Sequence, residues 1–299
     1  MLELTTDEDL ERFLSPYRVD APGSFSLSGH DPGNTDSLAG DFKDEARNLL
    51  DRSVAWMAEQ QPMLAAEDKQ ALLIIFQGRD AAGKDSMIRH VMSGLNPQGC
   101  HVTSFKHPDY QALDHDYLWR YHQRVPGRGE IGIFNRSHYE EVLIVRVHPR
   151  ILAAQRLPDG RSGKQIWQER FEDIGNFERY LHRNGVHILK FFLNISKEEQ
   201  KQRFLKRLEN PEKHWKFSQA DIEERAYWDD YTTAYEEAIG HTAAPHAPWF
   251  VVPADHKWFA RLMVACAVVA RLRAMDLHYP EPGRGELRAL RKARKALLK

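Results

Sequence analysis

The chain of 299 residues is 42% hydrophobic and 28% charged, enough for one large core or two modest ones, which excludes a disordered or fibrous protein. Its 42 Lys and Arg nearly cancel 43 Asp and Glu, so no global field draws it to nucleic acid or to an anionic membrane, and any polyanion site must be local. Two cysteines, Cys100 and Cys266, form no disulfide framework at this length and suit a reducing compartment, so a cytoplasmic location is expected.

The N-terminus, MLELTTDEDLERF, is acidic where a secretion signal carries a basic start and an apolar stretch. Residues 20–40 are rich in Gly, Ser, Pro and Asp without an apolar period, and an extended arm is expected over 1–41. From Phe42 the apolar residues recur at helical spacing, then give way to the continuous run ALLIIF at 71–76, a buried strand. Similar runs lie at 101–106, 130–135, 187–195 and 247–254, each set off by a segment of helical period. This alternation predicts an α/β fold, a five-stranded parallel sheet flanked by helices, in one domain over 42–280. Ser137 with Glu140, Ser196 with Glu199, and Ser218 with Asp221 each place a hydroxyl to cap a helix and an acid to cap in return. Leu262 to Ala270 is apolar, but Arg261 and Arg271 bracket it and nine residues rise only about 14 Å as helix, so a buried helix is expected and no membrane contact. Residues 284–299 carry seven Lys or Arg against the single acid Glu286, a basic helix or tail.

The first strand runs straight into Gly78-Arg79-Asp80-Ala81-Ala82-Gly83-Lys84-Asp85-Ser86 and then a helical pattern. Strand, G-x-x-x-x-G-K, helix is the order that phosphate binding needs: the glycines let N–H groups converge on the anion, the helix start adds its dipole, and Lys84 adds a point charge. An ordinary nucleotide-triphosphate loop follows its lysine with a Ser or Thr that ligates Mg²⁺; here that position is Asp85, with Ser86 one residue late. Asp80 is the expected replacement, since a carboxylate among phosphate-binding groups repels the ligand unless a cation bridges them. At the third strand's end stand Asn135, Arg136 and Glu140. Arg136 is suited to charge on a phosphoryl group in flight, and Glu140 either to a metal and the acceptor or to the capping box with Ser137. Lys197 to Phe217 holds seven Lys or Arg against four acids, with Arg203 and Arg207 on one helix face, and reads as a lid over about 197–220 or as a solvated helix. His107, His115 and His122 are scattered and make no metal site.

The loop GRDAAGKD, MSGLNPQGC with SFKHP after it, LWRYHQRVPGRGEIGIFNRSHYEEVLIVRVHP, RLENPEKHWKF and APWFVVPADHKWFARL together resemble successive blocks of the polyphosphate kinase-2 family over about residues 70–265. The resemblance implies a P-loop kinase-like three-layer fold similar to thymidylate kinase with a helical lid. It also implies transfer of a phosphoryl group between inorganic polyphosphate and adenine nucleotides, guanine nucleotides being an alternative, with Mg²⁺ or Mn²⁺ held by Asp80 and Glu140. By position, Asp80, Lys84, Asn135, Arg136, Glu140, Arg203 and Arg207 are the expected catalytic residues. Gly78, Arg79, Ala81, Ala82, Gly83, Asp85, Ser86, Lys106 and Arg120 are the expected phosphate or nucleotide ligands, Arg79, Lys106 and Arg120 forming a basic groove with the lid. NRSHYEE looks like the third class, which phosphorylates AMP as well as ADP. A homo-oligomer and no nucleic-acid partner are expected. An ATP-dependent nucleoside monophosphate kinase, or a P-loop module that binds nucleotide or RNA without transfer, are the competing readings.

Overall fold

The computed structural model describes residues 6–36, 38, 42–158 and 163–299. Helix α1 (Asp7–Leu14) is followed by the short strand β1 (Arg18–Val19), the long helix α2 (Lys43–Glu67) and β2 (Ala71–Gln77). The phosphate-loop segment then leads into α3 (Lys84–Val91), β3 (Cys100–Ser104), two single turns α4 (Tyr110–Leu113) and α5 (Trp119–His122), and β4 (Ile131–Asn135). A 3-10 turn at His138–Val142 precedes α6 (Ile144–Val147), α7 (Pro149–Ala153), α8 (Lys164–Arg183) and β5 (Val186–Asn194). The chain closes with α9 (Lys197–Leu208), α10 (Gln219–Glu223), α11 (Trp228–Thr242), β6 (Trp249–Pro253), α12 (Lys257–Ala274) and α13 (Arg284–Leu297).

The sheet order is β1-β6-β5-β2-β4-β3, with β2 to β6 parallel and β1 antiparallel to β6. All five predicted strands form. Their alternation divides two cores: Leu72, Ile74 and Phe76 face the side packed by α1, α2, α3 and α12, while Ala71, Leu73 and Ile75 face the side packed by α8 and α11. Burial on both faces is what makes β2 a continuous apolar run rather than an alternating one. Leu262 to Ala270 is the middle of α12, buried apart from Ala270, as expected. Among the described residues, no helix is long and apolar enough to cross a membrane.

The N-terminal segment corrects the expectation of an extended arm. Residues 7–14 are helical: Thr6 and Asp9 form a reciprocal capping box, three acids occupy the first turn, and Leu10, Phe13 and Leu14 enter the core against α12. Residues 18–19 then add a sixth strand. Residues 1–5, 37 and 39–41 of the expected arm lie outside the described residues. Around residues 30–32 the chain crosses the ends of β5 and β6, where Asn194 Nδ2 donates to the His30 carbonyl and Asp255 N to the Pro32 carbonyl.

Candidate active site

The loop between β2 and α3 leaves the carboxyl edge of the sheet at its centre, where β4 and β5 flank β2. Gly78 has φ +156°, and a Cβ there would lie 3.1 Å from the Leu193 carbonyl oxygen, so β5 admits only glycine at this approach. Gly83, at φ +106°, starts α3 in the left-handed region. Ala81 and Arg136 also hold positive φ, +60° and +64°, a local strain that the surrounding bonds maintain.

Lys84 is buried beneath the loop, its Nζ donating to the Gly78 carbonyl at 2.5 Å, and burial with the neighbouring Arg136 lowers its pKa. Gly78, Arg79, Asp80, Arg136 and Glu140 line a cavity of about 250 Å³ with Trp228, Tyr231 and Tyr235. Arg136 Nη2 lies 3.2 Å from Asp80 Oδ1, and the charge of Glu140 is the main influence holding the guanidinium protonated. Glu140 is itself harder to ionise than an ordinary carboxyl because it is buried, with Arg136 and Lys84 opposing that effect.

Glu140 does not complete a capping box. With the Gln77 amide turned to satisfy its neighbours, its Oε1 accepts from Ser137 N at 3.1 Å and its Nε2 donates to Glu140 Oε1 at 2.9 Å. Ser137 still caps through its hydroxyl, which accepts from Tyr139 N. The next residues anchor this turn in the core. Tyr139 Oη donates to Glu178 Oε1 at 2.8 Å, Lys190 Nζ donates to Glu178 Oε2 at 2.6 Å and to Tyr139 Oη at 3.0 Å, and His138 Nε2 lies 3.3 Å from Glu178. Burial opposes ionisation of Glu178, yet Lys190 and His138 hold its carboxyl below the usual range. Glu141 turns the other way, into a buried cluster with Arg120, Tyr121 and Gln155.

The other expected residues separate into three places. Asn135 Nδ2 donates to Asp85 Oδ1 at 2.7 Å on the other lip of the loop, and Ser86 Oγ accepts from Arg261. Arg203 does not face the cavity: its guanidinium donates to the Ala81 and Ala82 carbonyls at 3.0 and 2.9 Å and to the Ala254 carbonyl, while its Nε donates to Glu199. It therefore clamps the back of the loop to β6. Arg207 pairs with Asp221 at 3.1 Å, and Asp221 lines the cavity.

Of the three residues expected in a basic groove with the lid, Arg79 lines the cavity and Lys106 and Arg120 do not. Arg79 is buried in the cavity wall, 4.1 Å from the Trp228 ring centroid and donating to Thr232 Oγ1, because the aromatic face and hydroxyl of α11 replace its water. Lys106 and Arg120 stand together beyond β3, where Arg120 Nη1 donates to the Lys106 carbonyl, and neither lines the cavity.

Sequence reasoning missed Gln200, Glu224, Arg225, Tyr231 and Tyr235 in the wall and read Asp221 only as a capping partner. Gln200 Nε2 donates to the Asp80 carbonyl at 2.9 Å and its Oε1 accepts from Arg225, joining the loop to the segment before α11. Trp228, Tyr231 and Tyr235 fall at i, i+3 and i+7, one helix face, and that spacing was the available signal.

Asp80 and Glu140 form a donor set that fits Mg²⁺, an ion usually held by one or two carboxylates plus substrate phosphates and water. Among the described residues, no group of three or more His, Cys, Asp or Glu could hold a metal by protein ligands alone.

A sequence model described as Polyphosphate kinase 2 (PPK2) matches residues 41–280. The chain belongs to the polyphosphate kinase 2 family. It is an enzyme of that type. It is 50% identical over 258 residues to the ADP-polyphosphate phosphotransferase of Rhodopseudomonas palustris, covering 86% of this chain and 89% of that one. It is 44% identical over 271 residues to the AMP/ADP-polyphosphate phosphotransferase of Meiothermus ruber, covering 90% and 96%. The crystal structure of polyphosphate kinase 2 from Arthrobacter aurescens TC1 superposes with a TM-score of 0.81 at 40% identity, covering 91% of this chain and 94% of that one.

Proposed function

We propose that this polyphosphate kinase 2 transfers the terminal phosphoryl group of inorganic polyphosphate to AMP and ADP, with Mg²⁺, or Mn²⁺ in its place, held by Asp80 and Glu140. The observation that carries the reading is that the phosphate loop and Glu140 face one cavity that Trp228, Tyr231 and Tyr235 also line. Relatives named for ADP and for AMP/ADP support the acceptors. Asp80 and Glu140 would hold such a divalent ion, which would offset the negative charge of the phosphates.

The protein's own groups supply the rest. Loop N–H groups and the start of α3 receive the phosphates, while Lys84, already dehydrated beneath the loop, stabilises charge without reorganising water. Arg136 lies against Asp80 and beside Glu140, where charge gathers on the transferred group. The segment from α9 to α10 acts as the lid, since Gln200 and Asp221 already project from it into the cavity wall. AMP offers its nucleophilic oxygen one phosphate closer to the nucleoside than ADP, and Glu140 is the carboxylate placed to serve both positions. Cys100 and Cys266 are both free, which suits a reducing, cytoplasmic setting, and burial pushes their thiols up to about 11 and about 12, which keeps them unreactive.

The test is nucleotide analysis after incubating purified protein with Mg²⁺, long-chain polyphosphate and AMP or ADP, with ATP as a parallel donor and Lys84→Ala as control. ADP and ATP formed from polyphosphate, and turnover lowered by about 10²–10³ in a control that still folds cooperatively, support the reading. Transfer from ATP alone overturns it.

A further inference from the structure

The basic helix α13 is left unexplained by the catalytic site. It begins at Arg284, beyond the stretch matched to the family, and every one of its residues is exposed. At 3.6 residues per turn, Arg284, Arg288, Arg291, Lys292 and Lys295 fall within one arc of about 100°. Neighbours three and four apart on that arc repel one another, and a lone helix of 14 residues is marginal in water, so the ridge lacks a counter-charge.

Its position limits what that counter-charge can be. α12 starts beside the loop's clamp and runs back along the sheet for about 27 Å, and its end sits at the opposite edge, where Gln70 Nε2 donates to the Met275 carbonyl at 3.1 Å. The chain therefore leaves α12 at the edge of the sheet away from the transferring phosphoryl group and reaches α13 through the eight residues 276–283. We propose that the basic face of α13 is a second binding site for polyphosphate, a tether that holds the distal part of a long donor chain. This rests on the reading of polyphosphate as donor. A linear polyanion matches a straight cationic ridge, and one chain engaging both ridge and cavity converts the second contact into an intramolecular one. Insertion into a lipid surface fits less well, because Arg294 interrupts the arc that carries Leu287, Leu290, Leu297 and Leu298.

The experiment compares the full chain with a variant carrying Arg288→Gln, Arg291→Gln and Lys295→Gln, glutamine being a comparable helix former. Steady-state kinetics are measured on long-chain polyphosphate and on the shortest oligophosphate that supports turnover. The tether requires KM for the long chain to rise about fivefold or more at unchanged kcat, with KM for the short donor unmoved and the salt dependence on the long chain shallower. An unchanged long-chain KM, or an equal rise on both donors, overturns it. So does an unchanged KM accompanied by lost binding to anionic phospholipid vesicles or to RNA. A parent enzyme that uses ATP and no polyphosphate of any length overturns the donor reading together with the tether, and is seen before any variant is compared.

Discussion

Asn135 donates to Asp85 at 2.7 Å, which joins the two positions where this loop departs from the ordinary triphosphate pattern. The acid after Lys84 replaces a hydroxyl and the amide at the β4 end replaces an acid, so the pair exchanges donor and acceptor roles instead of losing one. An amide facing a carboxylate is satisfied; two carboxylates in the same place are not.

Asn135→Asp alone should therefore lower kcat by about tenfold, because the new carboxylate repels Asp85 across the loop lip. Asn135→Asp with Asp85→Ser should recover most of that loss by restoring the hydroxyl and acid together. Steady-state rates of the two variants measure the coupling, and a double variant no better than the single would separate the two positions.

Glu140→Asn should depress AMP phosphorylation more than ADP phosphorylation, by roughly a further tenfold, the equivalent of about 1.4 kcal/mol. Gln77 and the turn anchored by Tyr139 and Glu178 hold the backbone on either side, so the substitution changes the charge in the cavity without moving its frame. Parallel initial rates on AMP and ADP test this. Equal losses would make Glu140 a general electrostatic group instead of one that adapts to acceptor length.

The sheet was legible because strands buried on both faces are uniformly apolar, and the loop because its glycines and lysine occur at a fixed spacing after such a strand. The capping boxes were only half legible. Ser137, Ser196 and Ser218 do cap, but the expected return partners go elsewhere: Glu140 to the cavity, Glu199 to Arg203, Asp221 to Arg207. Local spacing shows that a reciprocal bond is possible, while a distant arginine or ligand site decides whether the acid is spent on it. α1 was missed for the complementary reason: its acidic first turn was read only as the lack of a secretion signal, although the same acids favour a helix start.

Arg203 and Arg207 share a helix face yet should respond oppositely to substitution. Arg203→Lys removes the fork that spans Ala81, Ala82 and Ala254, and should cost about 2–3 kcal/mol of stability along with a loss of kcat. Arg207→Lys keeps a cation near Asp221 and should leave the unfolding midpoint within about 0.5 kcal/mol, with KM for polyphosphate raised. Denaturant melts and kinetics on both variants distinguish a clamp from a substrate contact; a destabilised Arg207→Lys would assign both arginines to the fold.

His187 provides a pH dependence away from the cavity. At the start of β5 its Nε2 lies 2.7 Å from Gln70 Oε1, its Nδ1 has no partner, and burial, with Arg271 and His182 nearby, pushes its pKa down from 6.5 to about 4. The unfolded chain therefore binds a proton in a window where the folded one does not, so the stability contributed by neutral His187 is complete above about pH 6.5 and is lost as pH falls toward 4. His187→Gln should flatten this acid limb of the stability profile while leaving turnover at neutral pH unchanged. Thermal melts of both proteins across that interval measure the difference, and superimposable profiles would show that the imidazole is as easily protonated in the fold as in the unfolded chain.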